Sequence, residues 1–109
     1  MSDKRLEKLL QFLQDQPDDA FLLFAVGKEY EQQDQFDKAL EKYLFLRETQ
    51  PEYIGLYYHL AKLYEKLDEN ILAMQTYNEG IQMAKKQTDY HALSELNNAK
   101  MNLEIELGN

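Results

Sequence analysis

The stretch "DKRLEKLLQFLQDQP" at residues 3–17 returns 34 residues later as "DKALEKYLFLRETQP" at residues 37–51. Asp3, Lys4, Leu6, Glu7, Lys8, Leu10, Gln16 and Pro17 recur as Asp37, Lys38, Leu40, Glu41, Lys42, Leu44, Gln50 and Pro51. The same shift carries Leu22 to Leu56, Lys28 to Lys62, Tyr30 to Tyr64, Glu31 to Glu65, Asp34 to Asp68, Ala39 to Ala73 and Tyr43 to Tyr77. A fixed period of this size restricts the fold more than any other property of the chain. Each repeat is one small supersecondary unit that cannot bury its apolar face alone and must stack on a neighbour.

Within each unit the apolar residues follow the helical period twice. Leu23, Val26, Gly27 and Tyr30 fall on one face of a first helix, matched by Tyr57, Leu60, Ala61 and Tyr64. Leu40, Tyr43, Leu44 and Arg47 carry the period of a second helix, with the small Ala39 between them. Asp34 and Asp68 stand in the separating segments Gln33-Asp34-Gln35 and Leu67-Asp68-Glu69. Aspartate tolerates a left-handed backbone better than most residues and suits a tight connection. Pro17 and Pro51 end one helix and lead into the next, since proline cannot continue the hydrogen-bond ladder. The small residues at Gly27/Ala61 and Ala39/Ala73 allow the two helices of a unit to approach closely.

Composition agrees with a helical reading and narrows the function. Two prolines and four glycines in 109 residues are few for an all-β fold, and 12% aromatic residues argues against disorder. A net charge of −8 opposes nucleic-acid binding, which would need a basic patch larger than the "AKK" of Ala84–Lys86. There is no cysteine, hence no disulfide frame or thiol chemistry. The charged opening "MSDKRLEKLL" lacks the pattern of a signal peptide, and no apolar run reaches the ~18 residues of a membrane span. A soluble, cytoplasmic protein that binds neither membrane nor nucleic acid is expected.

The residues Leu23, Val26, Gly27, Tyr30, Ala39, Tyr43 and Pro51, followed by Tyr57, Leu60, Ala61, Tyr64, Ala73, Tyr77 and Lys85, form a pattern that resembles the tetratricopeptide repeat. That family's signature is W-x2-L-G-x2-Y, then A-x3-F, then P. Leu23 replaces its tryptophan and Lys85 its last proline, so the helix after Asn70 is expected to run to about Thr88. The stretches "FLLFAVGKEYE", "YYHLAKLYEKL" and "DYHALSEL" are similar to short stand-alone bacterial members. The resemblance implies an all-α, right-handed α-α superhelix of about six helices, with no cofactor.

A single domain over residues 1–109 then divides into an N-terminal capping helix (1–16), repeat 1 (18–51), repeat 2 (52–87) and a C-terminal capping helix (88–107). The first cap is a second helix whose own first helix is missing. Ala39 must be small because a helix presses on it; nothing presses at position 5, so Arg5 is allowed there. Leu6, Leu9, Leu10 and Leu13 cover the flank of repeat 1, and Leu93, Leu96, Leu103 and Leu107 form the stripe of the last helix.

One stripe of each first helix lies off the core face. The resemblance implies that this stripe lines a concave groove holding a peptide or a partner's helix. Its candidate contact residues are Phe21, Phe24 and Lys28 in one unit and Tyr58, His59 and Lys62 in the next. Aromatics supply contact area, and lysines select an acidic ligand. Alternatively, Lys28 and Lys62 only pair with Glu31 and Glu65 three residues on. Phe24 and Tyr58 occupy the positions at which the family's carboxylate clamp has lysine, so that clamp is not carried over. His59 and His91 are the only histidines, and no nucleophile–base set, metal motif or glycine-rich phosphate loop accompanies them. The expected function is therefore non-catalytic: an interaction module or scaffold for a protein or peptide. The alternative is a structural homo-oligomer, such as a homodimer, assembled through the terminal helices, where Phe12, Ala92, Ala99 and Ile105 offer apolar surface.

Overall fold

Helix ends decide the layout of this chain, and the same device closes three of them. The computed structural model describes residues 2–108, with side chains from Lys4 onward; Met1, the first residue of the expected cap, lies outside them. Among the described residues all regular structure is helical: α1 (Ser2–Asp15), α2 (Ala20–Gln32), α3 (Phe36–Thr49), α4 (Gly55–Lys66), α5 (Asn70–Gln87) and α6 (Tyr90–Glu106). Asp34 and Asp68 both adopt the left-handed conformation, each with φ of 59°. After α2, the Asp34 N–H donates to Glu31 O at 3.0 Å and the Gln35 N–H to Tyr30 O at 2.9 Å. After α4, Asp68 and Glu69 make the same bonds to Glu65 O and Tyr64 O at 3.0 and 2.8 Å. This paired closure satisfies carbonyls that a helix end would otherwise leave without donors. Thr88, with φ of 56°, closes α5 in the same way, and α5 ends one residue short of it. Asp19 and Asp89 cap the next helices, their Oδ1 atoms accepting from the Leu22 and Ala92 N–H groups at 2.9 and 3.0 Å.

The helices form two compact units, Met1–Tyr53 and Ile54–Asn109. In the first, α1 packs on α2 and α2 on α3; in the second, α4 packs on α5, and α6 against both. Leu6, Leu9 and Leu13 of α1 are buried, while Leu10 sits half-buried at the margin. The core of the first unit joins Leu23 and Val26 of α2 to Ala39, Tyr43 and Leu46 of α3. Of the face expected for α3, Tyr43 and the small Ala39 are buried, whereas Leu40, Leu44 and Arg47 are only half-buried and Leu46, not expected there, completes the buried set. The i, i+4, i+7 spacing of Ala39, Tyr43 and Leu46 describes the contact better because it places the smallest side chain at the closest approach.

Closeness is enforced at Gly27. A Cβ there would lie 2.5 Å from Tyr43 Cε1 and 2.8 Å from its Cδ1. Gly80 of α5 is similarly placed, 2.6 Å from Tyr57 Cβ and 3.0 Å from Leu96 Cδ1. Tyr43 and Tyr77 are fully buried, so each phenol needs a hydrogen-bond partner. The Tyr43 hydroxyl donates to Glu31 Oε1 at 2.8 Å, and the Tyr77 hydroxyl donates to Glu65 Oε2. The same bond thus recurs at positions one repeat apart. Burial, reinforced by the carboxylate, pushes both phenols far above their ordinary value of 10.

The last helix departs from its expected stripe. Leu96 and Leu103 are buried and Leu93 is half-buried, but Leu107 is 43% exposed. Leu107 takes the cap position after α6 ends at Glu106, beyond the helical register that aims Leu103 inward. Ala99, expected on a second, outer side, is buried, since Leu96, Ala99 and Leu103 share one i, i+3, i+7 face.

Two outcomes are expected. Gly27→Ala gains about 1 kcal/mol of helix propensity but meets Tyr43, held by its hydroxyl, at a cost of about 1–3 kcal/mol. Urea unfolding will show a net loss, and an unchanged or raised midpoint would contradict the contact. For the buried phenols, the folded state keeps protons that the unfolded chain releases, so stability is complete below about pH 10 and falls as pH rises beyond it. Equilibrium unfolding across pH 8–11 checks this, and Tyr43→Phe with Tyr77→Phe should flatten the decline.

Candidate functional site

On the exposed side of α2, a short i, i+4 pair is built where the core packing leaves off. Phe24 is half-buried, its ring tilted against Tyr43 at 6.1 Å between centroids and against Tyr53 at 5.4 Å. One helical turn on, the Lys28 ammonium lies 5.5 Å from the Phe24 centroid. A cation over an aromatic face is attracted by the ring's negative quadrupole. Tyr53 is fixed in the turn after α3, where its N–H donates to Gln50 O at 3.1 Å. Phe21, one turn earlier, stays 61% exposed.

The second unit repeats the construction. The Lys62 ammonium lies 6.0 Å from the Tyr58 centroid, one repeat on from Lys28 and Phe24. Tyr58 meets His59 edge-on at 5.4 Å. Lys62 also approaches Glu65 Oε2 at 4.0 Å, so the simple ion-pair expectation applies to this lysine in part. At such a distance and exposure the pair contributes a few tenths of a kcal/mol. Phe21, Phe24 and Lys28 therefore cluster in the first unit, and Tyr58, His59 and Lys62 in the second.

A cleft of 220 Å³ adjoins the first cluster, between α1 and α2. Phe21, Phe24 and Lys28 line it, with Arg5, Ala25, Glu29 and Gln32. Arg5, Glu29 and Gln32 were not among the expected contact residues. Arg5 is exposed but has a partner: its Nε donates to Glu29 Oε1 at 2.7 Å. Glu29 is 6% exposed, although it is a carboxylate on the packed side of α2. A signal for it was present in the repeat. Position 29 corresponds to Leu63, which is fully buried, so a charge stands in one unit where the other has leucine.

Among the described residues no group of three or more His, Cys, Asp or Glu side chains could hold a metal ion. No helix of the described chain is long and apolar enough to cross a membrane. The arrangement thus offers contact surface, hydrogen bonds and charge.

No family model and no curated protein matches the chain. Solved structures do. A crystal structure of a tetratricopeptide repeat domain protein from Salinibacter ruber is 42% identical, covers 79% of this chain and 96% of its own, and superposes with a TM-score of 0.75. A solution structure of a tetratricopeptide repeat domain protein from the same organism, also 42% identical, covers 81% and 89% with a TM-score of 0.78. A solution structure of a protein from Bordetella parapertussis is 27% identical over 93% of this chain and 88% of its own, with a TM-score of 0.81. Identity at this level over nearly the whole of a solved relative, joined to the paired helices, the small-residue contacts and the 34-residue period, makes the chain a member of the tetratricopeptide repeat family.

Proposed function

We propose that the chain is a non-catalytic docking module that binds a peptide or a partner protein through the exposed strips of α2 and α4. The observation that carries this reading is the recurrence of one aromatic–lysine pair, Phe24 with Lys28 and Tyr58 with Lys62, at equivalent positions of both units. Neither ammonium is spent in the core, and both stand out against a chain of net charge −8. A ligand that lays an apolar group on the rings and an acidic group beside the lysines gains area and charge complementarity together. Phe21 and His59 extend the two strips.

Catalysis has no comparable support in the sequence, where His59 and His91 belong to no recognised nucleophile–base motif. Membership of a family built from stacked helical units also favours binding over chemistry. The second reading, self-assembly through the terminal helices, draws support from Phe12 on α1 and from Met101 and Ile105 on α6, which are 48%, 51% and 65% exposed.

Affinity capture from the source cell's lysate with the wild-type chain and with a Lys28→Glu/Lys62→Glu double variant tests the strips. Both changes fall on partly solvated helix positions, so the variant should remain folded, which circular dichroism will check. A protein held by the wild type and lost at least tenfold from the variant is the expected result. Equal capture by both would refute the strips. Light scattering that shows dimers or chains of copies at micromolar concentration would favour the terminal helices instead.

A further inference from the structure

The outer side of α5 departs from its counterpart on α3 in one consistent direction. Asp37, Glu41 and Glu48, the three acids of α3, are all exposed. One repeat on stand Ile71, Gln75 and Gln82, so each carboxylate is replaced by a neutral side chain. Asn78 completes the stripe, and the four residues share one face because their spacing is i, i+4, i+7, i+11. All four are exposed, Ile71 by 77%. Ile71, Gln75 and Asn78 line a shallow cleft of 300 Å³ together with Asn70, Met74 and Leu107. None of these six side chains is charged, in a chain of net charge −8. The cleft has an apolar centre and a carboxamide rim, which is the composition of a protein interface.

We infer that two copies of the chain pair through this face, α5 of one lying antiparallel to α5 of the other about a two-fold axis. The stripe reads the same from either end, so this arrangement sets Gln75 of each copy opposite Asn78 of the other, and Ile71 opposite Gln82. A carboxamide carries both a donor and an acceptor and can pair with its like, whereas a carboxylate only accepts and repels its like. On α3 the same contact would set Asp37 against Glu48. The ends match too. Asp68 and Glu69 precede α5, with Glu106 next to the Leu107 of the cleft, while Lys85 and Lys86 lie in its last turn. Antiparallel pairing brings the acidic end of each copy to the basic end of the other and opposes the two helix dipoles. Between these ends Glu79 is the one charge on α5, and it stands to the side of the stripe. A uniformly basic partner would be repelled at the lysines and a uniformly acidic one at Asp68 and Glu69; a reversed copy meets neither repulsion. The contact uses neither the strips of α2 and α4 nor Phe12, Met101 and Ile105 of the terminal helices.

Analytical ultracentrifugation from micromolar to millimolar concentration tests the pairing. The wild type is expected to pass from the 12.9 kDa of one chain to twice that mass and no further. Gln75→Glu/Gln82→Glu gives α5 the glutamates that α3 carries at the same positions; it should fold, which circular dichroism will check, and weaken the dimer at least tenfold. If it does not fold, Ile71→Asp, at an exposed position, serves instead with the same expected loss. Glu69→Lys and Lys85→Glu should each weaken pairing, and their equimolar mixture should form a heterodimer about as tight as the wild-type dimer. A wild type that stays monomeric at millimolar concentration, a dimer equally tight in Gln75→Glu/Gln82→Glu, or charge variants whose mixture recovers nothing overturns the α5 contact. A dimer that survives the α5 changes but is lost in Met101→Lys/Ile105→Lys belongs to the terminal helices and likewise overturns it. Lys28→Glu/Lys62→Glu should leave the dimer intact, so loss of a captured protein and loss of the dimer report on separate surfaces.

Discussion

The close approach of Gly27 on α2 to the ring of Tyr43 sets the conditions for what is built around it. Bringing two helices this near requires an absent side chain on one and a flat ring on the other. Once the ring is buried, its hydroxyl must be satisfied, and a partner one helical turn beyond Gly27 is within reach. Glu31 occupies that place. The carboxylate cannot itself be buried without penalty, so it sits at the edge of the packed face, where solvent still reaches it. Core, hydrogen bond and exposed strip are consequently arranged in a fixed order around α2. The strip begins where the tyrosine–glutamate bond ends.

The second unit arrives at the same arrangement by a different route to closeness. Position 61 is alanine where position 27 is glycine, yet Tyr77 is as fully buried as Tyr43 and still donates to the equivalent glutamate. The hydrogen bond is therefore the more constant feature, and the small residue adjusts the spacing that makes it reachable. A tyrosine in place of the family's phenylalanine has a physical meaning here. Phenylalanine would fill the same volume without fixing the glutamate, and Glu31 and Glu65 are neighbours of the lysines that each strip exposes.

Much of the fold was legible because the repeat could be compared with itself. Asp34 and Asp68 could be assigned to left-handed turns from residue type alone, and both adopt them. Thr88 could not: a β-branched residue in that conformation is uncommon, and its place is set by the closing bonds of α5 rather than by its own preference. On α3, Ala39 and Tyr43 could be read, but Leu46 was passed over for Leu40, Leu44 and Arg47 because a run of apolar side chains permits two overlapping helical faces. Burial instead follows the site of closest approach, where Ala39 is worth more than a leucine. Leu107 was misassigned for the opposite reason, since periodicity says nothing about where a helix stops. At the site, the aromatic and lysine positions could be read from helical spacing. Glu29 was missed although its register opposite Leu63 marked it, because a buried charge contradicts the rule by which core positions are recognised.

That contradiction says something about how a repeat acquires specificity. Positions that agree between units serve the packing that both need: Tyr43 with Tyr77, Glu31 with Glu65, Asp34 with Asp68. A position that differs is free of that shared demand, and most such differences lie on solvated faces where they cost little. Glu29 differs in another way: it places a charge on the packed face and draws Arg5 across from the capping helix to meet it. A buried ion pair is rarely a gain over well-packed hydrophobic residues, and the second unit demonstrates that leucine fits the register. Stability therefore gives no reason for the pair. The remaining physical consequence of the charge is a tie between helices: it draws the Arg5 guanidinium of α1 onto α2, beside a cleft that Phe21 and Phe24 also line.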